Sequence, residues 1–222
     1  MRTKTLLFYL IAALMAGCVP IFSLSPLYTE EDVVFKDELL GAWADPNSPE
    51  GAWEFKRHDE AKNVYKLIVG IGDDAKGLFD ARLVNLKDQL FLDVYPDEKG
   101  LEQTMEGLEE KAKDPNNTVW VLNFAFLVPV HTFIKVDAIK PMLKMRLTDD
   151  ELMKKLLEQD PNAVKHVLLD EDQDRFLLTA STKELQAFVL KYADGDKLFE
   201  KPIVLKRAEP KNPKNAGDTP GK

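Results

Sequence analysis

Residues 77–95 read GLFDARLVNLKDQLFLDVY. Phe79, Ala81 and Leu83 alternate with Asp80 and Arg82, so one face is apolar and the other polar. That period of two is the signature of a half-buried strand. A second apolar segment, Gln89–Tyr95, follows after Lys87-Asp88. A two-residue link allows an antiparallel hairpin, whereas a parallel crossover needs a dozen residues or more. The stretch is therefore read as two paired strands of an antiparallel sheet.

The same pattern extends in both directions. Upstream, Gly51–Arg57 and Asn63–Ile71 are strand-like, with Gly77–Leu86 opening the hairpin just described. Downstream come Thr118–Val128, His131–Val136, Met142–Leu147, Lys165–Leu169, Arg175–Ala180 and Ile203–Arg207. Short links such as Gly72-Asp73-Asp74, Val128-Pro129-Val130 and Glu171–Asp174 join neighbours. The expectation is an α+β chain, mainly antiparallel β. Its sheet is a meander or barrel of about 8–11 strands with two or three accessory helices.

Three helices are expected, over Leu101–Lys113, Asp149–Gln159 and Thr182–Ala193. The second and third follow Thr148 and Ser181, with Glu151 and Glu184 three residues on. That spacing is a capping box, in which hydroxyl and carboxylate satisfy free first-turn amides. In the third helix Leu185, Phe188, Val189 and Tyr192 share one face, which reads as core.

The chain has 222 residues, with 30 Lys+Arg against 38 Asp+Glu and a formal net charge of -8. An acidic chain lacks the basic face that nucleic-acid binding requires, so no nucleic-acid partner is expected. Cys18 is the single cysteine, which excludes an intrachain disulfide. Arg2 and Lys4 precede an apolar run from Leu6 to Ala16. A spanning helix needs roughly 20 residues, so the run fits a secretory signal. It ends at Met15-Ala16-Gly17-Cys18, which resembles the lipobox of bacterial lipoproteins. That resemblance implies cleavage before Cys18, acylation of its thiol by chains such as palmitate, and anchoring in the cell envelope. The expected organisation is a signal peptide over 1–17, a lipidated cysteine and tether over 18–34, a β domain over 35–207 and a disordered tail over 208–222.

Gly41-Ala42-Trp43 opens the meander, and Lys206-Arg207 ends it. A Gly-x-Trp on the first strand, with a basic residue on the last, resembles the lipocalin superfamily. Trp53-Glu54-Phe55, Leu90-Phe91-Leu92-Asp93 with Tyr95-Pro96, and Leu185-Gln186-Ala187-Phe188 extend the likeness to small lipocalin-like bacterial lipoproteins. The resemblance implies an up-and-down barrel in which Gly41, Trp43 and Arg207 are structural, with Arg207 packed across the indole. The strand-like segments outnumber the eight of a lipocalin barrel, so a larger sheet or a filled mouth is expected.

Catalytic signals are sparse. His58, His131 and His166 each stand alone in sequence, without a second ligand at metal spacing. Ser23, Ser25, Ser48 and Ser181 lie in the tether, a turn and a helix cap, and no Gly-x-Ser-x-Gly elbow is present. Gly70-Ile71-Gly72 lacks the third glycine of a phosphate loop. Asp170-Glu171-Asp172-Gln173-Asp174 starts like a calcium loop but has Arg175 where glycine is needed. No enzyme activity, cofactor or metal is expected. Trp120, Phe124, Phe126 and Phe133 are apolar side chains on two neighbouring strand segments, read as the lining of a ligand pocket. The first expectation is a membrane-anchored protein that binds a small hydrophobic ligand or an envelope component. The alternative is a structural or assembly lipoprotein with a solid core that docks an envelope protein partner. An uncharacterised hydrolase comes third.

If Cys18 carries the anchor, Cys18→Ala loses the acyl mass and leaves the membrane fraction. Intact mass and fractionation check this, and a wild-type protein found wholly in the soluble fraction contradicts it. Several acyl chains, at about 0.8 kcal/mol per buried methylene, are together sufficient for stable anchoring.

Overall fold

The computed structural model describes residues 21–46, 48–71, 75–112, 128–170, 175–195 and 197–208. The expected signal peptide, Cys18, nearly all of the Thr118–Val128 segment and all but the first residue of the tail lie outside these residues.

Eight antiparallel strands close on themselves. They are β3 (Gly41–Asp45), β4 (Ser48–Arg57), β5 (Tyr65–Ile71), β6 (Ala75–Leu86), β7 (Gln89–Pro96), β8 (Thr132–Ala138), β9 (Leu143–Arg146) and β12 (Ile203–Arg207). Each pairs with its neighbour in the chain, and β12 pairs with both β9 and β3. The hairpin quoted above forms in full register, from Leu86 opposite Gln89 to Phe79 opposite Pro96. Lys87 and Asp88 both take positive φ, 49° and 65°. Two successive left-handed residues form the turn whose twist matches that of the strands it joins. The architecture is therefore a closed, lipocalin-like α+β barrel.

Alternation gives the wall two faces with different fates. Trp43, Phe55, Leu67, Leu83, Leu92, Ile134, Met145 and Leu205, drawn from all eight strands, meet in one buried cluster. Contributions from every strand place that cluster inside the barrel. Val84, Leu86, Phe91 and Phe133 come only from β6, β7 and β8, and point the opposite way. They are covered by α2 (Asp150–Gln159), α3 (Thr182–Tyr192) and Ile21 and Leu27, which flank the N-terminal strand β1 (Phe22–Ser23), with Leu198 and Phe199 from the approach to β12. A separate sheet runs in the order β1, β11 (Arg175–Leu178), β10 (His166–Asp170). The molecule thus has a barrel core and a second core on the barrel's outer wall.

Three sequence expectations change. Residues 21–34, read as a tether, are packed into the described fold. Ile21, Ser23 and Leu27 are buried, and β1 and β2 (Val33–Val34) pair with β11 and β6. Two-residue strands carry too short a pattern to be read as such. The helix expected to be capped by Thr148 is capped by Asp149, whose carboxylate accepts from the Leu152 amide at 2.8 Å. The Thr148 hydroxyl instead accepts from the Ile21 amide at 3.0 Å, so a tertiary partner has taken the expected cap. The first helix, α1 (Glu98–Ala112), starts three residues early because the Asp97 carboxylate accepts from the Gly100 amide. The Ser181 capping box forms as read.

Barrel closure rests on the residues at the two ends of the meander. Arg207 is registered opposite Trp43, and its guanidinium lies 4.4 Å from the indole centroid. The same guanidinium donates to the Leu40 and Glu38 carbonyls at 2.6 and 2.8 Å. Trp43 Nε1 donates to the Leu39 carbonyl at 2.8 Å. Gly41 has φ +111°, and a Cβ there would lie 2.5 Å from Arg207 Nη1. The glycine of the Gly-x-Trp motif is therefore needed twice, for its backbone and for the passage of the arginine. Gly41→Ala should destabilise the fold by about 1–3 kcal/mol. Gly107, in α1, has open space around it, and Gly107→Ala should stabilise by about 0.5–1 kcal/mol. Denaturant midpoints of the two variants must move in opposite directions.

Candidate functional site: the mouth of the barrel

The two ends of the barrel differ. At one end lie the β4–β5, β6–β7 and β8–β9 links, together with the chain's approach to β3. A 3₁₀ turn at Asp37–Leu39 sits here, with Leu39 fully buried. Phe35 stacks on Tyr65 at 4.3 Å between centroids, and Phe55 meets the same ring edge-on at 6.1 Å. The Tyr65 hydroxyl accepts from the Lys36 amide at 2.7 Å and donates to the Lys36 carbonyl at 3.2 Å. Burial pushes its phenol up to about 12. This end is plugged by aromatic rings and by satisfied backbone groups.

The opposite end carries the β3–β4, β5–β6 and β7–β8 links and the long connection from β9 to β12. Strand alternation brings Trp53, Val69, Phe79, Leu147 and Ile203 inward there, and all five are only partly buried. Beneath them Trp43, Leu67, Ala81, Val94 and Met145 are buried. Trp53 is paired opposite Trp43 and Val69, and Val69 opposite Gly77. A Cβ on Gly77 would lie 2.5 Å from Phe79 Cε2, so the glycine leaves the space that the Phe79 ring occupies. The result is an apolar rim over a solid apolar floor. An eight-stranded barrel is just wide enough to be filled by side chains or to hold one small ligand, and here the floor is buried while the described rim residues stay partly exposed.

Of the pocket residues expected from sequence, Trp120, Phe124 and Phe126 lie outside the described residues. Phe133 does not face the lumen. It is fully buried on the outer side of β8, with its ring 6.5 Å from that of Phe199. The reason is register: Ile134 and Val136 hold the inward positions of β8, which leaves odd-numbered residues outside. The rim residues were legible only as inward positions of strands, because nothing in a sequence tells a strand's covered end from its open one.

The three histidines are separate. His58 Nδ1 accepts from the Glu60 and Ala61 amides, at 3.0 and 2.9 Å, and closes a turn. His166 Nδ1 contacts the Val164 carbonyl at 2.9 Å. It borders a cleft of about 320 Å³ lined by Pro161, Asn162, Val164, Lys165 and Thr179. His131 has a carboxylate partner, with Nδ1 2.7 Å from the buried Asp93 Oδ1 and its ring 4.5 Å from that of Tyr95. Asp93 Oδ2 accepts from the Leu27 amide at 2.7 Å. The His131 backbone exchanges two 2.9 Å hydrogen bonds with Ser23. Both oxygens of Asp93 are thus committed to fastening the N-terminal segment across β7 and β8. The Ser23 hydroxyl donates to the Ser25 carbonyl at 2.8 Å and the Ser181 hydroxyl caps α3. Among the described residues no three His, Cys, Asp or Glu side chains gather as a metal site.

Two further groups are shifted outside the barrel. Hydrogen bonds from Lys165, and then from Ser181, hold the Glu184 carboxyl down at about 2. Burial raises the Tyr28 phenol, whose ring lies 4.8 Å below the Arg82 guanidinium. The rim itself presents no charged side chain among its five residues. What these five side chains offer is apolar surface that a ligand can desolvate. Comparison with protein-family models, curated proteins and solved structures returned no match.

Proposed function

We propose that this chain is a bacterial envelope lipoprotein, anchored through acyl chains on Cys18, whose barrel mouth takes a small hydrophobic ligand or the apolar part of an envelope component. The observation that carries the binding half is the rim: Trp53, Val69, Phe79, Leu147 and Ile203 face inward at one end and stay partly exposed, over a floor that is buried. Partly exposed apolar side chains gain about 25 cal/mol per Å² when a ligand covers them. The lipobox-like Met15-Ala16-Gly17-Cys18 carries the anchoring half. The protein binds and does not catalyse.

An assembly role with a solid core is the second function, favoured by the filled floor and by exposed apolar side chains outside the barrel. Binding of N-phenylnaphthylamine, a neutral apolar fluorophore, separates the two. The mouth should bind it saturably and quench Trp53. Phe79→Glu and Val69→Glu should each weaken binding by about tenfold or more, since tenfold is only 1.4 kcal/mol and a carboxylate at an apolar site costs at least that. Saturable binding that neither substitution alters, in variants with unchanged denaturation midpoints, contradicts a site at the mouth.

A further inference from the structure

We propose that the β1–β11–β10 sheet is the membrane-facing surface of the protein, with the apolar edge strand β10 resting in the headgroup region of the bilayer. The inference rests on the acylation of Cys18 proposed above.

The chain is fixed almost from the anchor onward. Ile21 is buried and its amide is bonded to Thr148 Oγ1. Ser23 is bridged to His131, Leu24 donates to the Leu178 carbonyl and Leu27 to Asp93. Two residues, Val19 and Pro20, separate Cys18 from Ile21, and the three chain steps span at most about 11 Å. An acyl chain on Cys18 therefore cannot hold the fold at a distance. Whatever surrounds the start of β1 must lie at the bilayer.

The neighbours of the start of β1 are also set. β1 runs parallel to β11, with Phe22 opposite Leu177. The start of β1 therefore lies towards the beginning of β11, where Arg175 pairs with Asp170 of β10. That is the tip of the β10–β11 hairpin. Here Val167, Leu168 and Leu169 are 44%, 45% and 54% exposed, three apolar residues in succession. Successive residues of a strand point to opposite faces, so both faces of this edge are apolar. Among the described residues β10 is paired on one side only. An open apolar edge invites aggregation in water, and lipid contact removes the hazard.

The depth of contact follows from two opposing terms. Unpaired backbone groups of an edge strand cannot enter hydrocarbon without a cost of several kcal/mol each. The run Asp170-Glu171-Asp172-Gln173-Asp174 places acidic residues after the apolar ones, and these are repelled by anionic headgroups. β10 therefore lies in the interface, where water and headgroups satisfy its amides, and it approaches neutral bilayers more closely than anionic ones.

The test uses the full, acylated chain. With Cys18 acylated, Leu168→Cys supplies one free thiol for a polarity-sensitive fluorophore. Lys56→Cys, exposed on β4 and three strands round the barrel from β7, is the reference. On reconstitution into phosphatidylcholine vesicles containing a doxyl-labelled lipid, the label at 168 should shift to the blue and lose intensity. The label at 56 should do neither. Replacing a third of the lipid by phosphatidylglycerol should reduce the shift at 168. Intact mass establishes the acylation state first. Acylated, vesicle-bound protein with equal responses at 168 and 56 overturns the membrane-facing sheet and leaves the anchor standing. An unacylated Cys18 overturns both. A blue shift at 168 that appears without lipid and grows with protein concentration assigns the edge to a second copy of the chain, and overturns the proposal as well.

Discussion

The Arg207 guanidinium over the Trp43 indole is the contact on which the barrel depends. The two residues sit at opposite ends of the meander, and their strands must meet for the sheet to have no free edge. Each neighbour is shaped by that contact. Gly41 is compatible with the arginine's path because it has no Cβ. The Leu40 and Glu38 carbonyls, left over by the turn before β3, accept from the arginine. The indole N–H finds the Leu39 carbonyl. One side chain thus closes the sheet, covers the plug and satisfies the backbone beneath it. A stacked cation is worth about 0.5–2 kcal/mol, but the closure it supports removes two strand edges from water.

With the sheet closed, the inner face of every strand has a place in one core. The outer face of β6, β7 and β8 then becomes a problem of its own, since Val84, Leu86, Phe91 and Phe133 point away from the lumen. The long connection between β9 and β12 solves it by folding α2, α3 and the β10–β11 hairpin back over that wall. The N-terminal segment lies between wall and helices, held by Asp93 through Leu27 and His131 and by the Gln186 side chain donating to the Leu27 carbonyl at 3.0 Å. A buried carboxylate requires such partners, and here its demand fixes the path of the N-terminal segment. Barrel and N-terminal segment are in this way one system: the barrel supplies the wall, and the wall fixes the segment from Ile21 to Leu27.

Much of the barrel was legible because its signals are local and periodic. Alternation in residues 77–95, short links and the Ser181 box each specify a structure over a few residues. The Trp43–Arg207 pairing was legible for a topological reason, since a meander that closes must bring its ends together. The remainder was hidden where tertiary contacts decide. Thr148 looks like a cap but serves Ile21. Residues 21–34 look like a tether because two-residue strands have no period to read. Phe133 looks like a pocket residue until register assigns the inward positions of β8 to Ile134 and Val136. The rim of Trp53, Val69, Phe79, Leu147 and Ile203 depends on which end of the barrel is plugged, and that depends on Phe35, Leu39 and Tyr65 meeting at the other end.

The central claim is that the first and last strands are closed by a specific cation–indole contact. A double-mutant cycle between Trp43→Phe and Arg207→Ala, followed by chemical denaturation, measures it most directly. Arg207→Ala should destabilise the wild type by at least about 0.5 kcal/mol more than it destabilises the Trp43→Phe background. The hydrogen bonds to Leu40 and Glu38 are lost in both arms and cancel. Equal penalties in the two backgrounds would contradict the closure by this pair.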